Sequence, residues 1–271
     1  MIKACFFDID GTLLPGDTKQ VPQDAQRALR LLHEKGIYLF ISSGRPLKHM
    51  ELMPDSLLSL PFDGFVLLNG QYCIDKEKHE LRRHPISREA LQALVPWLKT
   101  QSFPCSIHEL DFGYDLNENP GMKEYLASIN RLDQLPPVLD PVRALDHETF
   151  MICPYIDESM DAEFLKHAPG MKSARWTPQF ADMIPADGGK DKGLETMGRH
   201  FRFTREEMLA CGDAGNDLPM FRYAGHSVCL GNGTQPAKAE AEFITSDIHE
   251  GGIARALVHY GLLTEEEAGL H

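Results

Sequence analysis

The chain opens on an apolar run, residues 2–7, that stops at Asp8-Ile9-Asp10-Gly11-Thr12. A run that is apolar at nearly every position leaves no face for water, so it reads as a strand buried on both sides. The same form recurs over 37–41, ending at Ser42-Ser43-Gly44-Arg45-Pro46, and over 65–68, ending at Asn69-Gly70. It returns late in the chain, over 208–211 before Gly212-Asp213 and over 227–230 before Gly231. Helical patterns lie between these runs. Ala25, Ala28, Leu29 and Leu32 fall at helical spacing over 22–35, with Pro22 at the first turn and Gly36 at the end. Further helices are expected over 217–223 and 252–260. Buried strands alternating with helices predict an α/β fold, a doubly wound, mainly parallel sheet covered on both faces.

The middle of the chain breaks this grammar. From 80 to 186 the pattern is more mixed and richer in proline. A helix is expected over 87–101 with Pro96 as a kink or break, a strand over 151–153 and a helix over 157–167. The 271 residues suit one large domain or two ordinary ones. The expected division is discontinuous: a catalytic core from 1–79 and 187–271, with an α+β cap domain inserted over 80–186.

Composition excludes several classes. With 27 Lys+Arg against 40 Asp+Glu, the formal net charge is −13, and no basic run is long enough to track phosphates. Nucleic acid is therefore not an expected partner. No apolar stretch approaches the roughly 20 residues of a membrane span. Residues 1–10 reach acidic side chains too early for a signal peptide. The six cysteines show no metal-ligand spacing and read as buried free thiols. The expected setting is the cytoplasm; oligomeric state is left open.

The chemistry gathers at the strand ends, where open α/β sheets bind ligands. Asp8 and Asp10 stand two apart, so strand geometry puts both carboxylates on one face. Such a pair suits a nucleophile with a general acid, or the start of a hard-cation site. Gly212-Asp213-Ala214-Gly215-Asn216-Asp217 adds two carboxylates and an amide at another strand end. Ser42, Ser43 and Gly44 offer hydroxyl and backbone N–H donors at a third. Gly188-Gly189-Lys190-Asp191-Lys192-Gly193 supplies a cation just before a helix. Carboxylates alone would repel a phosphate; a divalent ion and a lysine make the combination tenable.

These segments resemble, in order, the four motifs of the haloacid dehalogenase superfamily. Asp8-Ile9-Asp10-Gly11-Thr12 is similar to its first motif, Ser43 to the second, Lys192 before Gly193 to the third, and Gly212–Asp217 to the fourth. With Asn69-Gly70 they resemble the Cof-like sugar-phosphatase branch, whose α/β cap lies between the second and third motifs. The resemblance implies a Mg²⁺-dependent phosphomonoesterase acting on a small phosphorylated metabolite, a sugar phosphate first. It implies Asp8 as nucleophile, forming an aspartyl-phosphate, and Asp10 as the acid and then the base. Mg²⁺ would take Asp8, Asp213 and the backbone carbonyl of Asp10, with Asp217 supporting it from behind or through water. Ser43, Gly44, Lys192 and Asn216 would hold phosphoryl oxygens. Arg45 and Asn69 are candidate substrate contacts.

Two choices within the motifs stay open to geometry. Lys190 competes with Lys192, which is preferred because it directly precedes Gly193, with Lys190 read as a solvated loop residue. Ser42 competes with Ser43, and strand alternation lets only one face the site. Other activities share the chemistry: a phosphomutase would use the same aspartyl-phosphate, and a phospho-Asp signalling receiver the same residue types on a shorter chain. Released phosphate, rather than an isomerised sugar phosphate or a stable phosphoprotein, distinguishes the hydrolase.

Overall fold

The structure is a computed structural model that describes residues 1–128 and 132–270. It divides into two compact units, each with its own sheet and core. The first comprises residues 1–45, 49–83 and 188–271, the second residues 46–48 and 84–187.

In the first unit, β1 (Ala4–Phe7), β2 (Tyr38–Ser42), β3 (Gly64–Leu67), β4 (Tyr72–Asp75) and β5 (Glu80–Arg83) come from the early segment. The second unit contributes β6 (Cys105–His108), β7 (Gly113–Asp115), β8 (Met151–Pro154), β9 (Met171–Ala174) and β10 (Asp182–Pro185). The chain then returns to the first unit for β11 (Met208–Gly212), β12 (His226–Cys229) and β13 (Phe243–Ile244).

The first sheet runs β13-β12-β11-β1-β2-β3-β4-β5. It is parallel from β13 to β3 and antiparallel where β4 meets β3 and β5. β1 lies at its centre, and all four of its residues are fully buried. Such a strand can be apolar throughout because helices cover both faces. On one face Phe6, Phe40, Leu194, Met197 and Met220 form a common core. The helix Gln23–Glu34 buries the stripe Ala25, Ala28, Leu29 and Leu32, the residues whose spacing predicts it, and Pro22 stands at its N-cap.

The second sheet runs β7-β6-β8-β10-β9 and is antiparallel throughout. The helices Arg88–Leu98 and Asp161–His167 contribute Leu91, Leu94, Leu98 and Phe164 to its core, with Ile107, Ile152 and Met183 from the strands. Pro96 sits inside the first of these helices without ending it.

The expected boundaries shift: residues 46–48 and 187 fall with the second unit. Residues 80–83 fall with the first unit, because Arg83 and Arg82 pair with Tyr72 and Cys73 of β4. A charged edge strand has no apolar signature, and edge strands commonly carry charge to discourage further pairing. All six cysteines are free and buried. Among the described residues no helix is long and apolar enough to cross a membrane.

Candidate active site

The parallel strands β1, β2, β3 and β11 end on the same side of the first sheet, and each hands the chain to a turn bearing polar residues. At the end of β1 the N–H of Asp8 donates to the Cys211 carbonyl at 3.0 Å, the last rung to β11. The chain then folds round the carbonyl of Ile9, which accepts the N–H groups of Thr12, Leu13 and Leu14 at 3.3, 3.0 and 2.8 Å. This turn carries Asp10 past the strand and buries Thr12 completely. The Thr12 hydroxyl donates to Asp213 Oδ1 at 2.8 Å. Motif one is thereby tied to motif four.

The lysine at the centre of the site is Lys190, not Lys192. Lys190 opens the helix Lys190–Phe201 and is fully buried. Its Nζ donates to Asp8 Oδ1 at 2.7 Å and to Asp217 Oδ1 at 2.6 Å. Lys192 is 40% exposed in its side chain and lies 3.4 Å from Glu195 of its own helix. Helix phase is the reason. Gly193 faces the sheet so closely that a Cβ there would overlap Val66 of β3. Lys190, three residues earlier, shares that face, whereas Lys192 points about 200° further round the helix. The expectation of Lys192 in the site, and of Lys190 in solvent, is therefore corrected.

Asp217 is fully buried and both its oxygens are engaged. Oδ1 accepts Lys190, and Oδ2 accepts the N–H groups of Asp213 and Ala214 at 2.9 and 3.0 Å. It thus shapes the loop after β11 and anchors the lysine at once.

Charge is unbalanced here. Carboxylate oxygens of Asp8, Asp213 and Asp217 lie within 4.8 Å of one another. With all three ionised, these carboxylates exceed the Lys190 ammonium by two negative charges. Burial pushes the Asp8 carboxyl up to about 7, with Lys190 opposing and Asp217 and Asp10 adding to the shift. Burial, then Asp217 and Asp8, push Asp213 up to about 8. Burial works against the Lys190 ammonium, but Asp217 and Asp8 outweigh it and hold its pKa above the ordinary value. The donor set is all oxygen and two charges short, which fits a hard divalent cation.

The turn after β2 carries the remaining residues. Ser43 is buried; its N–H donates to the Val66 carbonyl at 2.8 Å and its Oγ accepts the Arg45 N–H at 3.2 Å. Gly44 lies half-buried between them. The Ser42 hydroxyl is buried, with no hydrogen-bond partner among the described residues. Arg45, expected at the substrate, holds Asp10: Nε donates to Oδ2 and Nη2 to Oδ1, both at 2.7 Å. Asn69, also expected at the substrate, is buried and accepts a hydrogen bond from Asn216 Nδ2 at 3.2 Å.

Neither Thr12 nor Lys190 is expected in the site from sequence. Thr12 was visible as the last residue of the first motif. Lys190 was visible through Gly193, the small residue that marks the helix face against the sheet.

A family model described as haloacid dehalogenase-like hydrolase matches residues 5–257. A Streptococcus pyogenes protein with a provisional bifunctional description, phosphatase and peptidyl-prolyl cis-trans isomerase, is 30% identical over 278 residues. That match covers 98% of this chain and 55% of the relative, so the chain spans about half of that protein's length. The 5-amino-6-(5-phospho-D-ribitylamino)uracil phosphatase YcsE of Bacillus subtilis is 26% identical, with 96% of each chain covered. Among solved structures, a sugar phosphatase of subclass IIB superposes with a TM-score of 0.87 at 32% identity, covering 96% of this chain and all of the other.

Proposed function

The chain belongs to the haloacid dehalogenase-like hydrolases and is a phosphatase, and from that premise we propose that it hydrolyses small phosphorylated metabolites, sugar phosphates foremost, through a phosphoryl group carried on Asp8. The observation that carries the reading is the buried ion pair of Asp8 with Lys190, set beside Asp213 and Asp217.

The reaction divides into two displacements. In the first, a carboxylate oxygen of Asp8 forms a bond to phosphorus as the bond to the leaving oxygen breaks, and Asp10 gives that oxygen its proton. In the second, Asp10 takes a proton from water, the water oxygen bonds to phosphorus, and the bond to Asp8 breaks to release inorganic phosphate. Lys190 keeps Asp8 oriented and offsets charge on the phosphoryl oxygens. Ser43, the Gly44 N–H and Asn216 supply further donors to those oxygens. Arg45 holds Asp10 by both oxygens and sets its direction. Phosphoryl transfer depends mainly on positioning and charge neutralisation, which this set supplies.

Asp8, Asp213 and the Asp10 carbonyl would hold the divalent cation, read as Mg²⁺, with Asp217 supporting them. When bound it would neutralise the excess carboxylate charge and polarise the phosphoryl group. The second unit, chiefly residues 84–187, is read as the cap that selects the leaving group. The sugar phosphatase and the phospho-ribityl phosphatase among the similar proteins support a polyhydroxylated, phosphorylated substrate. The buried free thiols suit a reducing cytoplasm.

A panel of phosphorylated metabolites, assayed by phosphate release with and without added Mg²⁺, tests this reading. The expected result is Mg²⁺-dependent release led by sugar phosphates. Release that persists after exhaustive chelation, or that is absent across the panel, contradicts it.

A further inference from the structure

After β3 the chain takes three left-handed residues in succession. Leu68, Asn69 and Gly70 have φ of +53°, +52° and +87°, and all three are buried. Glycine adopts this region freely and asparagine tolerates it, but a leucine there crowds its own backbone. Such a conformation persists only where its surroundings enforce it, and it concentrates at working sites.

The contacts made by the turn show what enforces it. The N–H of Leu68 donates to the Arg45 carbonyl at 3.1 Å, and the N–H of Asn69 to the Ser43 carbonyl at 3.0 Å. Gly70 packs against the carbonyl of Gly189, the residue before Lys190, where a Cβ would overlap it. The Asn69 side chain reaches Asn216. One strained turn thus meets three segments of the site: the turn after β2, the start of the lysine helix and the loop after β11.

We propose that Asn69 is a positioning residue whose carboxamide fixes the carboxamide of Asn216. An amide nitrogen has two hydrogens. With one held by Asn69 Oδ1, the other keeps a single direction, toward the phosphoryl group that Asn216 is read as contacting. The proposal rests on that reading of Asn216. A residue needed only for the turn would have to supply a left-handed backbone and nothing more. Asn69 supplies that backbone and an acceptor at 3.2 Å from a motif residue.

Asn69→Gly separates the two roles, because glycine satisfies the backbone and removes the acceptor. The expected result is a variant that still melts cooperatively, with kcat/KM for p-nitrophenyl phosphate lowered about tenfold. Asn69→Asp, which keeps an acceptor and tolerates the same backbone, recovers part of the loss. In an Asn216→Ala background, Asn69→Gly adds no further loss, since both act through one contact. The side-chain NH₂ resonances of Asn216, followed by NMR, shift in Asn69→Gly. Unchanged resonances, or losses that add in the double variant, overturn the proposal. The resonances decide it even if the wild-type protein releases no phosphate, an outcome that would defeat the functional reading separately.

Discussion

Lys190 Nζ lies 2.7 Å from Asp8 Oδ1, fully buried and joined on its other side to Asp217 at 2.6 Å. A buried ammonium between two carboxylates holds its charge and fixes the direction of Asp8, the proposed nucleophile. Its loss leaves buried carboxylates without their partner, which costs about 3–5 kcal/mol for pairs of this kind. Lys190→Met is expected to lower Tm and to reduce turnover at least about a hundredfold. Lys192→Met should leave Tm and turnover near wild type, within about 0.5 kcal/mol in stability. Thermal melts and phosphate-release rates for the two variants check this. The reverse ranking would restore Lys192 to the site.

The raised carboxyls make a pH prediction. Asp8 and Asp213 have folded pKa values of about 7 and about 8, against an ordinary value of 3.8. Between the two values the folded protein retains protons that the unfolded chain has lost. Stability of the metal-free protein therefore falls as pH rises from about 4 and levels off above about 8. A divalent cation held by these carboxylates would take the place of those protons, so Mg²⁺ should raise Tm more at pH 8 than at pH 5. At a hundredfold excess over Kd the gain is about 2.7 kcal/mol. Melting curves with and without Mg²⁺ across this range measure it. A Mg²⁺ effect independent of pH would contradict it.

Arg45 grips both oxygens of Asp10, so its removal should act through proton delivery. Arg45→Ala is expected to lower kcat most for sugar phosphates, whose alkoxide leaving groups need a proton. Aryl phosphates, with better leaving groups, should suffer less. Asp10→Asn should show the same selectivity more strongly, with about 10²–10⁴-fold loss on sugar phosphates. Equal losses on both substrate types for Arg45→Ala would mean that Arg45 binds phosphate instead.

Gly11 has φ +85°, and a Cβ there would run into the Asp213 carboxylate. Gly11→Ala incurs a left-handed penalty of about 1–2 kcal/mol and displaces a proposed metal ligand. Lower Tm together with weaker Mg²⁺ stabilisation is expected. A change in Tm with Mg²⁺ affinity intact would show that only the turn is disturbed.

What the sequence discloses, and what it hides, follows from where each residue's constraint comes from. Residues 2–7, 37–41 and 208–211 read as buried strands because burial on both faces leaves few polar positions. Asp8, Asp10, Asp213 and Asp217 read as a site because they sit at the ends of those strands. Lys190 and Lys192 both lie in the first turn of one helix, and only the helix phase against Val66 separates them. Arg45 depends on a turn that brings it to Asp10 rather than to open solvent. Asn69 depends on a strained backbone that composition does not announce. Glu80–Arg83 pairs as an edge strand whose charges conceal it.

The most direct test of the account is phosphate release from p-nitrophenyl phosphate by Asp8→Asn in Mg²⁺, beside the wild-type protein, with folding verified by a cooperative melt. If Asp8 carries the phosphoryl group, the folded variant loses at least about a thousandfold in kcat. A folded Asp8→Asn protein turning over at the wild-type rate would contradict it.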